Sequence, residues 1–177
     1  MSDSILRLPS ADAPCVLAIL DGRPAIVLDE WRSVADDEAL PSPDEAPAVI
    51  VGPRRYAEAR AAGLRVGLRV PGDAEPEGLL GDAHPELVAI EVPKFTDGRH
   101  YSLARLLRER EGFTGELRAF GDVLPDQLFY MRRCGYTSFE LKAGKSLATG
   151  LRTLQAFTVT YQGAVDEPRP LYRRRAF

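Results

Sequence analysis

Five side chains able to bind an anion or move a proton fall within nine residues: Lys94, Asp97, Arg99, Tyr101 and Ser102. A second polar run, Gly121-Asp122-Val123-Leu124-Pro125-Asp126-Gln127, follows one helical and one extended pattern later. Each run comes just after an apolar stretch and just before an amphipathic one. In a parallel sheet such loops share the rim at the carboxyl ends of the strands, where α/β proteins bind ligands. Lys94 and Arg99 beside a helix N-terminus suit a phosphate, sulfate, sulfite or carboxylate, and Gly98 frees the backbone for close approach. A lysine paired with a carboxylate can also do acid–base work when burial shifts their pKa values. The candidate catalytic set is therefore Lys94, Asp97 and Asp122. The candidate substrate-binding set is Arg99, Tyr101, Ser102, Asp126 and Gln127.

Each of these residues also has a structural reading. Thr96-Asp97-Gly98 makes an ordinary turn, and Asp97 or Ser102 can cap the following helix. Asp122 before Pro125 reads as a helix N-cap, and Asp126 suits the positive end of the helix dipole. Cys134 closes a helix, an end that disfavours a thiolate despite Arg132 and Arg133, so it reads as a small buried residue. His100 reads as a surface loop residue rather than a catalyst.

Several chemistries are excluded. No G-x-G-x-x-G follows a strand and no phosphate-binding G-x-x-x-x-G-K is present, so no nucleotide cofactor is expected. Two cysteines and two histidines allow no zinc finger, all-histidine metal site or four-cysteine cluster, so no metal is expected.

The elements that must position the two runs are legible from periodicity. Residues 1–12 are expected to fray. Cys15–Leu20 and Pro24–Leu28 read as a β-hairpin about Asp21-Gly22. Trp31–Leu40 reads as a short helix and Pro41–Pro47 as an acidic, proline-rich connector. A βα alternation then begins. Ala48–Val51 is a covered strand, Arg54–Ala62 a helix, and Leu64–Val70 a strictly alternating strand with one wet face, expected near a sheet edge. Leu87–Val92 reads as a central strand, Ser102–Glu111 as a helix and Glu116–Phe120 as a strand. Pro125–Cys134 is a helix, Tyr136–Leu141 a strand, and Ser146 caps a helix carrying Leu147, Leu151 and Leu154. Phe157–Tyr161 reads as the last strand. This pattern predicts an α/β fold with a mostly parallel sheet and right-handed crossovers, either open or a partial TIM-like barrel. Residues 13–162 are read as one domain and 163–177 as an extended basic tail.

Charge is uneven along the chain. Residues 1–90 carry 8 Arg against 16 Asp and Glu, while residues 91–177 carry 15 Lys and Arg against 10. Such a field can focus an anionic ligand or partner on one side. Arg outnumbers Lys 20 to 3, so Lys94 stands out at a strand end. The acidic first half and a single short basic tail, Arg173-Arg174-Arg175, argue against nucleic acid. No apolar run is long enough to span a membrane, and the N-terminus lacks the pattern of a signal peptide, which predicts a cytoplasmic protein.

The run from Glu91 to Arg108, Glu91-Val92-Pro93-Lys94-Phe95-Thr96-Asp97-Gly98-Arg99-His100-Tyr101-Ser102 continued by Leu103-Ala104-Arg105-Leu106-Leu107-Arg108, resembles a bacterial family called domain of unknown function 934. So does Gly115 to Gly135, with Phe120-Gly121-Asp122-Val123-Leu124-Pro125-Asp126-Gln127 at its centre. The resemblance covers residues 48–162. Members of that family are typically encoded beside assimilatory sulfite reductase and the reductase of activated sulfate. They are described as oxidoreductases of sulfite reduction. The resemblance thus implies a place in sulfate assimilation and cysteine biosynthesis. It also implies a partner in sulfite reductase or its electron donor.

Three functional expectations follow. One is an auxiliary protein of assimilatory sulfite reduction that binds a redox partner or small oxyanion at the strand rim. The second is a stand-alone enzyme on a small anionic substrate, using Lys94 with Asp97 or Asp122. The third is a structural subunit with no site.

Overall fold

The computed structural model of the protein describes residues 14–81 and 84–174. The frayed segment expected at 1–12 and Arg175 of the basic triplet lie outside the described residues. The strands are β1 (Cys15–Leu20), β2 (Arg23–Leu28), β3 (Arg32–Ser33), β4 (Ala48–Val51), β5 (Arg65–Val70), β6 (Leu87–Val92), β7 (Glu116–Gly121) and β8 (Ser138–Phe139). The helices are α1 (Tyr56–Ala61), α2 (Arg99–Glu109), α3 (Leu128–Arg133), α4 (Leu147–Leu154) and α5 (Leu171–Arg174). Short 3-10 turns at Pro53–Arg55 and Pro125–Gln127 lead into α1 and α3.

Among the described residues one sheet forms, in the order β2-β1-β8-β7-β6-β5-β4-β3. Strands β3 to β8 run parallel to one another, and β1 is antiparallel to both β2 and β8. The sheet is open and strongly curled, a half-barrel, which is the partial-barrel form of the expected α/β fold. The hairpin forms as the Asp21-Gly22 turn demands, with both residues at positive φ.

Helices α1 to α4 pack on one face. Leu103, Ala104 and Leu107 of α2, Leu128 and Met131 of α3, and Leu154 of α4 join Val88, Ile90, Val92, Leu117, Ala119, Phe139 and Leu17 of the strands in one buried cluster. Ala59 of α1 packs with Val49, Val51 and Val66. The other face carries a small cluster of Ile50, Leu87 and Ala89 against Trp31 and Phe120, with charged residues beside it. Ser146 accepts the Thr149 amide and caps α4 as its sequence requires.

Four expectations are corrected. Strand β5 is not near an edge but lies between β4 and β6. Its alternation is nonetheless physical. Val66, Leu68 and Val70 are buried on the helical face, while Arg65 and Arg69 pair with Glu86 and Asp36 on the face that a half-barrel leaves open. The helix expected over Trp31–Leu40 does not form. Arg32 and Ser33 instead pair in parallel with Val49 and Ile50, and the Val34 amide donates to Ile50. The following turn is held by the Arg55 guanidinium, which donates to the carbonyls of Ala35 and Glu38.

Phe157–Tyr161 is not a strand, because β1 already occupies the edge of β8 where a further parallel strand would add. The basic tail does not trail away over its described part. The Leu171 amide donates to Tyr161, Val165 donates to Arg133, and α5 ends the described chain.

Candidate functional site

The parallel pairing of β6 with β7 sets Val92 opposite Gly121, so the loops that follow leave the sheet side by side. The Asp122 amide then donates to the Val92 carbonyl at 2.8 Å. Gly121 has φ +98°, and a Cβ there would stand 2.6 Å from the Val92 oxygen, so only glycine allows this approach.

The two loops are joined at one residue, Phe95. Asp122 Oδ2 accepts the Phe95 amide at 3.0 Å, and Gln127 Nε2 donates to the Phe95 carbonyl at 2.8 Å. Asp122 Oδ1 is 2.8 Å from Lys142 Nζ. That contact and the Phe95 amide hold the Asp122 carboxyl below its ordinary range.

A second network closes the other half of the loop. Asp97 Oδ1 accepts from the backbone amide and Nε of Arg99, and Asp97 Oδ2 meets Arg99 Nη2 at 2.7 Å. Arg99 Nη1 donates to Asp73 at 2.7 Å. The Asp97 carboxyl is held down to about 2 by Arg99, and the guanidinium is raised in turn by its two aspartates. Arg99 is therefore occupied by carboxylates, and Lys94 is an exposed rim cation with no ion pair among the described residues.

The remaining candidates lie elsewhere. Tyr101 and Ser102 sit in α2 and line a cavity of about 450 Å³ between α2, α3 and the 162–165 segment. Tyr101 packs edge-on against Tyr130 at 5.0 Å. Asp126 is exposed in the 3-10 turn before α3 and makes no ion pair among the described residues. The structure thus gathers Lys94, Asp97, Arg99, Asp122 and Gln127 about one loop and leaves Tyr101, Ser102 and Asp126 outside it.

The capping assignments change as well. Helix α2 begins at Arg99, with Gly98 as N-cap. Asp97 takes the first amide from one position earlier, and Ser102 is inside the helix. Asp122 caps nothing, because Leu124 stands at the N-cap of the turn into α3.

His100 is not a surface residue. It is 1% exposed, with Nδ1 3.1 Å from the Tyr136 hydroxyl, which in turn donates to the His100 carbonyl. Burial pushes the imidazole down to about 4, so it is neutral at pH 7. Cys134 is buried at the end of α3, its thiol raised by burial, as the structural reading of that residue holds.

Sequence reasoning missed an ionic cluster on the face opposite the helices. Arg118, 3% exposed, makes a two-pronged pair with Asp29 at 2.9 and 2.8 Å. It also donates to Glu116, whose carboxylate accepts from the Ser138 hydroxyl. The available signal was the pair Glu116 and Arg118, which the period of two places on one face of an otherwise apolar strand.

Among the described residues no group of three or more His, Cys, Asp or Glu is arranged to hold a metal ion, and no helix is long and apolar enough to cross a membrane. Asp97 and Asp122 are both locked in the ionised state by cations, which suits hydrogen-bond acceptance and disfavours proton transfer near neutral pH. The arrangement rigidifies a loop whose tip presents Phe95, 51% exposed, beside Lys94.

No curated protein matches the chain. A family model described as "Bacterial protein of unknown function (DUF934)" matches residues 67–172, a span from within β5 into α5 that includes both rim loops. That span is more than half of the sequence, and the chain belongs to this bacterial family.

Proposed function

We propose that the protein is an auxiliary of assimilatory sulfite reduction, acting in the cytoplasm. In this reading it docks sulfite reductase or its electron donor through the rim loop 94–98. The observation that carries the docking role is the double clamp on Phe95. Asp122 and Gln127 hold its backbone N–H and C=O while the ring stays exposed. A rigid loop that displays an aromatic ring beside a free cation loses little entropy on association, which is what an interface anchor requires. The pathway rests on the resemblance of the Glu91–Arg108 and Gly115–Gly135 runs to a family encoded beside sulfite reductase. The enzyme reading has less support, because Asp97 and Asp122 are occupied by Arg99 and Lys142. Binding of a small oxyanion is weakened for the same reason, since Arg99 already carries two carboxylates.

The test is genetic and biochemical. A strain lacking the gene is grown on sulfate, sulfite, sulfide or cysteine as sulfur source. A block on sulfate and sulfite, relieved by sulfide or cysteine, is expected. Normal growth on sulfate would remove the pathway assignment. Complementation by Phe95→Ala and Lys94→Ala at matched protein levels tests the loop. Full rescue by both variants would remove the docking role even if the pathway assignment stands.

A further inference from the structure

A cavity lies at the end of the sheet opposite the rim. Its volume is about 600 Å³, within the range of small-molecule sites. The loops that precede β7 and β8 form it, together with the β1–β2 turn and the returning 165–166 segment. Ile19, Phe113 and Val165 give it apolar walls, and Thr114, Arg108 and Arg132 give it polar ones.

Arg108 is the unusual member. Its Nε donates to the Gly135 carbonyl at 3.0 Å, and its Nη1 donates to the carbonyls of Phe113 and Gly115 at 2.6 and 2.8 Å. The guanidinium also lies 5.3 Å from the centre of the Phe113 ring. Its Nη2 is buried with no hydrogen-bond partner, and no carboxylate pairs with it among the described residues. Burial lowers its pKa to about 10, which leaves it charged at pH 7. A half-buried cation with only carbonyl dipoles around it is an incomplete arrangement.

The other charges do not complete it. Asp166 is the acidic residue of the cavity wall, and it already meets Arg133 at 3.0 Å and Arg132 at 3.9 Å. The wall therefore keeps an excess of positive charge. The backbone is also shaped around this arginine. Gly135 has φ +107°, and a Cβ there would stand 2.7 Å from Arg108 Cγ.

We propose that this cavity binds a small organic carboxylate with an apolar body. Its carboxylate would lie beside the Arg108 and Arg132 guanidiniums of the wall, and its body would lie against Phe113, Ile19 and Val165. An anion there supplies the counter-charge that the described wall lacks, and the apolar walls select against fully hydrated inorganic ions.

The probe is benzoate, titrated into the full chain by calorimetry and by amide chemical shifts, with benzyl alcohol as its neutral counterpart. Benzoate is expected to saturate and to bind about tenfold more tightly than benzyl alcohol, the size of effect expected of one charge-assisted hydrogen bond. Arg108→Gln should remove that preference. Thr114→Trp, which leaves Arg108 intact and narrows the cavity, should weaken both ligands. Absence of saturable benzoate binding, or equal affinity for the two ligands, would overturn the proposal. If Arg108→Gln does not fold, the Thr114→Trp protein decides, because unchanged benzoate affinity there places any binding elsewhere.

Discussion

The Asp122 carboxylate accepts the Phe95 amide at 3.0 Å, across 27 positions of sequence and two adjacent strands. A residue with the placement of a catalytic acid or a helix cap is thus the clasp of a neighbouring loop. Its second oxygen meets Lys142, and Gln127 takes the Phe95 carbonyl.

Removing the clasp should loosen the loop without unfolding the protein. Asp122→Ala is expected to raise amide exchange and backbone mobility over 94–98, with Gln127→Ala giving a smaller change in the same region. The clasp depends on the ionised carboxylate, whose folded pKa is lowered, so its contribution holds above the unfolded value and fades as pH falls through the folded one. Asp122→Asn keeps an acceptor for Phe95 and should abolish this pH dependence. Unchanged exchange at Phe95 in Asp122→Ala would refute the clasp.

Gly121→Ala should be among the more damaging small substitutions. It combines φ +98° with a Cβ placed 2.6 Å from the Val92 backbone oxygen, which cannot move aside as a flexible side chain would. The expected loss is about 1–3 kcal/mol, read from urea unfolding. The Phe95 amide should lose protection in the same protein, because Asp122 follows directly.

Arg118→Ala should cost about 3–5 kcal/mol, since it leaves two carboxylates against a buried wall without their cation. Asp29 and Glu116 have side chains only 12% and 31% exposed. Replacing Asp29 and Arg118 together with apolar residues should recover part of that loss, measured by a double-mutant cycle. Strict additivity of the two single losses would show that the pair is not coupled.

Stability should fall as the solution is acidified from about pH 6.5 to about pH 4, in part because of His100. Its folded pKa is depressed to about 4 by burial, against 6.5 when unfolded. Over that window the unfolded state binds the proton and the folded state does not, so stability rises with pH and the loss is complete below the folded value. The shift corresponds to a contribution on the order of 3 kcal/mol. His100→Gln should flatten this part of the pH profile. A native-state NMR titration of His100 near 6.5 would contradict the burial argument.

How much was legible follows from the range of the forces involved. The hairpin at Asp21-Gly22, the Ser146 cap and the apolar faces of α2 and α4 were readable, because backbone sterics, capping bonds and helical periodicity act within a few residues. The alternation of β5 was readable as a wet face but not as a position in the sheet. In a closed barrel that face would be buried, and here the curl leaves it open. The strand at Arg32–Ser33 was hidden because it forms by pairing with Val49 and Ile50, which are remote in sequence. Phe157–Tyr161 has a strand-like pattern and no strand, because β1 holds that edge of β8.

The candidate site divides in the same way. The sequence alone determined the βα order and the two polar runs after β6 and β7. The pairing of Val92 with Gly121 brought those runs together on one rim. Only the tertiary structure decided what the side chains do there, because hydrogen bonds and ion pairs depend on distances between chain-remote groups. It gave Asp122 to Phe95 and Lys142, gave Arg99 to Asp97 and Asp73, and buried His100 against Tyr136. At the other end of the sheet it left Arg108 half-buried with no carboxylate partner among the described residues, a relation that no spacing of residues encodes.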